Sequence, residues 1–238
     1  MQGIAEVVPV SSSAQLSLLP WLLGWPAADD RTGFAAGLHA GSCVGIGWAL
    51  RHDLRALDTR TAGLLAATTV PAALAGATLA DAVERRLGRP GPTAALLALA
   101  GLVLWRADLA PGTRPVGPRA AAVASLAQVL ALAPGVSRSG ATLTALRSCG
   151  VDRDDAIRFS LLMSLPVTAG AAVLSLARTR RPAPGVLLGA PVAALAGAVV
   201  TDSVRRRGAA VAPVAALYRV GLAAAVAVRL GQQRRTRR

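Results

Sequence analysis

Long stretches of apolar residues alternate along this chain with short segments rich in arginine, aspartate, glycine and proline. Six of the apolar stretches read as helices: Phe34–Leu50, Ala62–Ala80, Thr93–Trp105, Ala156–Ala177, Gly185–Thr201 and Ala210–Leu230. Most lack the polar face of a soluble helix, and most approach the roughly 20 residues that cross a hydrocarbon layer. Gly41, Gly45, Pro71, Pro166 and Pro191 fall inside these stretches. Membrane helices tolerate such residues because neighbours satisfy the freed backbone groups. Small residues dominate the spans, as expected where helices approach closely. The connections Arg51–Arg60, Asp81–Arg89, Arg178–Arg181 and Asp202–Arg207 are short and arginine-bearing. The pattern predicts an all-α polytopic membrane protein, a single integral membrane domain over residues 1–238 with about six transmembrane helices.

Two stretches break the pattern, Met1–Trp25 and Ala120–Ser148. Each sets polar and turn-forming residues inside sequence too apolar for a solvated loop and too short to span twice. Set against each other without gaps, QGIAEVVPVSSS pairs with QVLALAPGVSRS. Gln2 then matches Gln128, Ser11 matches Ser137, and Ser13 matches Ser139. The pairing predicts an internal duplication, with repeat one over about residues 1–105 and repeat two over about 120–230. Three spans separate the copies, and an odd number inverts the second relative to the first. Inverted repeats bring broken helices together near the bilayer midplane. Polar, proline-broken backbone is tolerable at that depth where it lines a cavity. The two stretches are accordingly expected to be re-entrant hairpins.

Composition sharpens this reading. The chain is 53% hydrophobic and 16% charged with a mean hydropathy of +0.50, against about 25% charged for a soluble domain. The net charge is +14, and all 26 basic residues are arginines. They lie in short clusters between apolar runs, which suits loops facing anionic headgroups. With seven aromatic residues in all there is no stacking platform for bases, and nucleic acid is not an expected partner. Arginine counts favour neither side of the membrane, although the tail Arg229–Arg238 argues for a cytoplasmic C-terminus. Cys43 and Cys149 belong to no CxxC or Cys/His motif, so neither a zinc site nor a disulfide framework is expected.

The chemistry concentrates in the two polar stretches. In Pro134–Thr142, PGVSRSGAT, Gly135 and Gly140 allow close backbone approach. Arg138 offers a planar fork of donors matched to phosphate. Ser137, Ser139 and Thr142 add hydroxyls, and a helix opening near Ser139 would aim its amides at an anion. Together these predict a phosphate cradle. In the first stretch Gln2 and Glu6 are four apart and share a helix face. Their oxygens suit a hard divalent cation, Mg²⁺ or Ca²⁺. Beyond Pro9, Ser11, Ser12 and Ser13 offer a nucleophile and donors, or an N-cap for the following helix.

QGIAE with VPVSSS, LAQVLALAPGVSRSGAT, AIRFSLLMSLPV and PVAALYR resemble the undecaprenyl-diphosphate phosphatase family of the bacitracin-resistance type, over nearly the whole chain. The resemblance implies a multi-pass enzyme of the bacterial plasma membrane with its site open to the outer side. Such an enzyme hydrolyses undecaprenyl diphosphate to undecaprenyl phosphate and inorganic phosphate. That recycles the lipid carrier of peptidoglycan synthesis and confers bacitracin resistance. The resemblance places Gln2 and Glu6 at metal-associated positions and Ser12 at the nucleophile, flanked by Ser11 and Ser13. Arg138, Gly135, Ser137, Ser139 and Thr142 fall at phosphate-binding positions. The expected catalytic set is Ser12, Glu6 and Arg138, the expected partners are a polyprenyl diphosphate and the bilayer, and a homodimer is left open. A lipid-phosphate transporter or flippase that binds without cleaving is the rival reading.

The chain departs from the family pattern at two positions and at its start. Gln2 stands where many members carry Glu, and Gln15 where many carry a His after the serines. His39 reads as packing polarity within the first span. The family pattern also begins with one more helical arm before the first motif, so half an arm is expected to be missing before Met1.

Overall fold

The computed structural model describes residues 1–25, 31–178 and 186–236. Among the described residues there are eleven helices and no strand beyond one isolated bridge between Arg114 and Val151. The first polar stretch forms α1 (Gln2–Val7) and α2 (Ser12–Leu23), followed by α3 (Arg31–Ala49), the short α4 (Arg51–Arg55), α5 (Thr59–Leu87) and α6 (Pro90–Asp108). The second forms α7 (Pro118–Leu130) and α8 (Arg138–Ser148), followed by α9 (Arg153–Arg178), α10 (Val186–Arg206) and α11 (Gly208–Thr236). The predicted start of the fifth span at Gly185 and the basic turn at 179–181 lie outside the described residues.

Local sequence explains where these helices begin. Asp58 accepts a hydrogen bond from the Thr61 amide at 2.7 Å and caps α5. Pro90 and Pro118 occupy the first turns of α6 and α7, where a missing N–H costs nothing. The expected connection Asp81–Arg89 proves helical as far as Leu87. Its alanine, leucine, glutamate and arginine residues are good helix formers, and no breaker intervenes before Gly88 and Pro90.

Among the described residues four helices are long and apolar enough to cross a membrane: α5, α6, the Arg153–Val173 part of α9, and α11. Their outer surfaces carry large apolar side chains. Leu74, Leu99, Val173 and Leu217 are each at least 60% exposed. An apolar surface this extensive is stable against lipid and an aggregation liability in water. The fold is that of an all-α polytopic membrane protein.

Small residues bring the inner helices together. Gly41 and Gly45 of α3 lie against the Ala190 and Ala194 carbonyls of α10, so closely that a Cβ at either glycine would collide with them. Gly3 of α1 meets the Ala193 carbonyl of the same helix. This is small-residue packing at a four-residue spacing. On the other side α7 docks on α5, where Ser125 and Gln128 both donate to the Thr68 carbonyl, at 2.9 and 3.3 Å. The core beneath is aliphatic, with Ile46, Leu50, Leu104, Leu146 and Met163 fully buried.

The two polar stretches break in the same way. Pro9 and Pro134 stop the first helix of each, and the chain re-enters helix through a serine with positive φ, Ser11 at 67° and Ser137 at 71°. Among the described residues no other non-glycine has a positive φ. In each stretch that serine hydroxyl sits beside the hydroxyl two residues on, Ser11 with Ser13 at 3.2 Å and Ser137 with Ser139 at 3.3 Å.

Candidate active site

Glu6, on the last turn of α1 and 8% exposed, is the centre of the polar cluster. Its Oε1 accepts from Gln2 Nε2 at 2.8 Å and from the Ser12 hydroxyl at 3.1 Å, and lies 3.2 Å from His39 Nδ1. The four-residue spacing that sets Gln2 over Glu6 is the helical face expected of that motif. Ser12 reaches the same carboxylate because the chain turns back between Val8 and Ser11. Arg138, the first residue of α8, comes to the other side: its Nη2 donates to the Glu6 backbone carbonyl at 3.0 Å and lies 3.4 Å from Oε2. One carboxylate thus joins the middle serine of the first break to the arginine of the second, which lies 132 positions from Glu6.

A cavity of about 170 Å³ opens beside this cluster, walled by Glu6, His39, Gln128, Arg138 and Thr168 and otherwise by alanine, leucine and valine. Engineered cavities of about 150 Å³ admit a benzene-sized guest, so this space has room for a phosphate group. Three buried polar atoms of its wall have no hydrogen-bond partner among the described residues: Arg138 Nη1, Thr168 Oγ1 and Gln128 Oε1. Unpaired buried polar groups are rare in native structures, where a bound water, ion or ligand commonly satisfies them.

The other sequence-predicted residues serve the surrounding frame. Ser11, Ser137 and Ser139 are buried, and Ser13 is exposed. Ser137 caps α8 by accepting from the Gly140 amide at 3.3 Å. Thr142 is fully buried, bonded to the Arg138 and Ser139 carbonyls and to the Ser160 hydroxyl at 2.6 Å, away from the cavity wall. The closeness that Gly135 and Gly140 allow is to the protein itself. Gly135, with φ of 102°, lies on the Thr93 and Leu97 backbone of α6, and a Cβ on Gly140 would come within 3.0 Å of Arg219.

Sequence reading missed three residues of this neighbourhood. His39, taken as packing polarity, faces Glu6; its only signal was a titratable residue in an apolar span. Thr168 gave no signal, because threonine inside an apolar helix is ordinary. Arg219 lay in the PVAALYR segment and is fully buried, with no carboxylate partner among the described residues. It donates to the carbonyls of Pro9 (3.1 Å), Gly135 (2.7 Å), Val136 (2.9 Å) and Leu97 (3.0 Å), so one guanidinium pins both breaks to α6. Gln15, the position at which the family pattern has histidine, is occupied structurally: it donates to the Val10 carbonyl and accepts from Tyr218 of α11.

Comparison with known proteins agrees with these motifs. Residues 1–225 match the family described as bacitracin resistance protein BacA. The chain belongs to that family. It is 41% identical to a protein named undecaprenyl-diphosphatase from Geobacter sulfurreducens, over 76% of this chain and 74% of that one. Proteins of the same name from Geobacter metallireducens (40% identical, 73% and 71% covered) and Gemmatimonas aurantiaca (37%, 74% and 73%) are also similar. The segments matching the BacA family include both breaks and Arg219.

Proposed function

We propose that the chain hydrolyses undecaprenyl diphosphate to undecaprenyl phosphate and inorganic phosphate, returning the lipid carrier to peptidoglycan synthesis and conferring bacitracin resistance. The carrying observation is the Glu6 carboxylate bridging Ser12 and Arg138 at the edge of a phosphate-sized cavity. A diphosphate brings several negative charges into this apolar surround, and its cleavage calls mainly for positioning and charge stabilisation. Arg138 supplies both: Glu6 holds its Nη2, and Nη1 remains free for a phosphate oxygen.

In this mechanism Ser12 Oγ attacks the terminal phosphorus while Glu6 Oε1 takes its proton. The bond from phosphorus to the bridging oxygen breaks, and undecaprenyl phosphate leaves. Water then cleaves the phosphoserine, releasing inorganic phosphate and restoring Ser12. Glu6 orients the hydroxyl, Arg138 neutralises the oxygens, and the aliphatic wall excludes bulk water.

A divalent cation, Mg²⁺ or Ca²⁺, fits the donors at this place. Among the described residues no three His, Cys, Asp or Glu side chains cluster, so ligation falls to Glu6 with amide oxygens. The unpaired Gln128 Oε1 supports this, and Gln2, whose Nε2 donates to Glu6 here, would add its amide oxygen only on turning over. When bound, the ion supplies Lewis-acid neutralisation of phosphate charge.

The same reading takes the molecule as two inverted repeats, about 1–105 and 120–230, with re-entrant hairpins α1–α2 and α7–α8. The matching positive-φ serines and hydroxyl pairs support it, as does the docking of α1 on α10 and of α7 on α5. The site is taken to open to the outer face of the bacterial plasma membrane.

Purified protein in detergent, given undecaprenyl or farnesyl diphosphate with Mg²⁺ or Ca²⁺, is expected to release phosphate, and the Ser12→Ala and Arg138→Ala variants are not. Lipid binding by the wild type without release under either metal would favour a transporter instead.

A further inference from the structure

Hydroxyls inside membrane helices usually donate back to the carbonyl one turn earlier, because no water is present to receive them. This chain follows that habit at Ser42, Thr68, Thr69, Thr78, Thr201 and Ser203. Thr168 does not. It is 2% exposed, its Oγ1 has no partner among the described residues, and it lines the cavity that holds Arg138 and Glu6. Pro166, two residues earlier, also removes one rung of the α9 hydrogen-bond ladder at this level. A buried hydroxyl left free is a net cost to the folded protein, and Val in its place would remove that cost at nearly equal volume.

We propose that Thr168 is a substrate-binding residue whose hydroxyl donates to a phosphate oxygen of the diphosphate head, beside the free Nη1 of Arg138. The proposal rests on the diphosphate reading of the cavity and adds α9 to the elements that grip the head. Arg138 approaches from α8 and Glu6 from α1, so Thr168 supplies a third element and fixes where the phosphate sits. With apolar neighbours Val167 and Ala171, it is the one hydroxyl on that wall among the described residues. The wall thereby offers a small tetrahedral anion two donors, the Arg138 Nη1 and the Thr168 hydroxyl.

The test compares wild type, Thr168→Val and Thr168→Ser in full-length protein in detergent. Binding is read with the non-hydrolysable methylene-bisphosphonate analogue of farnesyl diphosphate, and turnover with farnesyl diphosphate itself. The Val variant is expected to bind the analogue and to raise KM by about ten- to hundred-fold, the worth of a hydrogen bond to a charged group. Its kcat should change little, its ligand-free form should melt no lower than wild type, and Ser should restore affinity. An unchanged KM and affinity in the Val variant would overturn the assignment. So would a ligand-free melting loss in parallel with activity that Ser fails to recover. If the wild type binds the analogue but releases no phosphate, hydrolysis fails while the binding arm still decides Thr168. No binding by the wild type overturns both.

Discussion

Replacing Glu6 with glutamine keeps the shape of the side chain and removes the charge that holds Arg138. At 3.4 Å the two groups attract by roughly 5 kcal/mol at an effective dielectric of about 20. Desolvation of both offsets part of this, and removing one partner of such a buried pair costs about 3–5 kcal/mol. For a chain of this size, about 2–4 °C of melting temperature accompanies each kcal/mol. Glu6→Gln should therefore melt about 6–20 °C below wild type. Combining it with Arg138→Met should recover much of the loss, since the uncompensated buried cation is then gone. Phosphate release should fall by about a hundred- to ten-thousand-fold in Glu6→Gln, because Ser12 loses its proton acceptor. The assays are a detergent melting series and a phosphate-release series on the two single variants and the double. A Glu6→Gln variant that melts like wild type, or a double variant whose losses simply add, would refute the pairing argument.

Other predictions follow from neighbouring contacts. Arg219→Met should lose at least about 3 kcal/mol of stability and most activity, since four backbone carbonyls lose a charged donor. Arg219→Lys should rescue it poorly, because one ammonium cannot fan out to four acceptors. Gly45→Leu should prevent α3 from seating on α10, read as failure to fold or a large melting loss, while the exposed Leu74→Ala is nearly silent. Outside the membrane-spanning segments, the Asp152 carboxyl is held below its usual value by the Asp154 and Asp155 amides at the start of α9. A depressed carboxylate stabilises the fold above its unfolded pKa of about 4 and loses that contribution as pH falls through the folded value. Asp152→Ala should thus melt lower than wild type at neutral pH and converge with it in acid.

The sequence disclosed most of the frame. Apolar runs located α3, α5, α6, α9, α10 and α11, since lipid demands continuous apolar surface and leaves little ambiguity about type. The Gln-to-Ser register located both breaks, because proline and clustered hydroxyls cannot continue an apolar span without a reason. Ends were harder to read: α5 extends to Leu87 because charge does not stop a helix of good formers. The site was legible where residue chemistry is unusual for its setting, as with Glu6, Ser12 and Arg138. It was illegible where the proposed contact depends on an unmade bond. Thr168 and Thr68 look alike in sequence, and a free hydroxyl shows only in three dimensions. At the glycines of PGVSRSGAT close approach was legible, and the protein group that approaches, Arg219 or α6, was not.

The most direct test is an experimental structure of the protein in lipid with the bisphosphonate analogue of farnesyl diphosphate bound. The account predicts the distal phosphonate between Arg138, Thr168 and the Ser12 hydroxyl, with its chain running out into the bilayer. An analogue seated elsewhere, for example at the Asp53–Arg158–Arg205 cluster, with the Glu6 cavity empty, would contradict it.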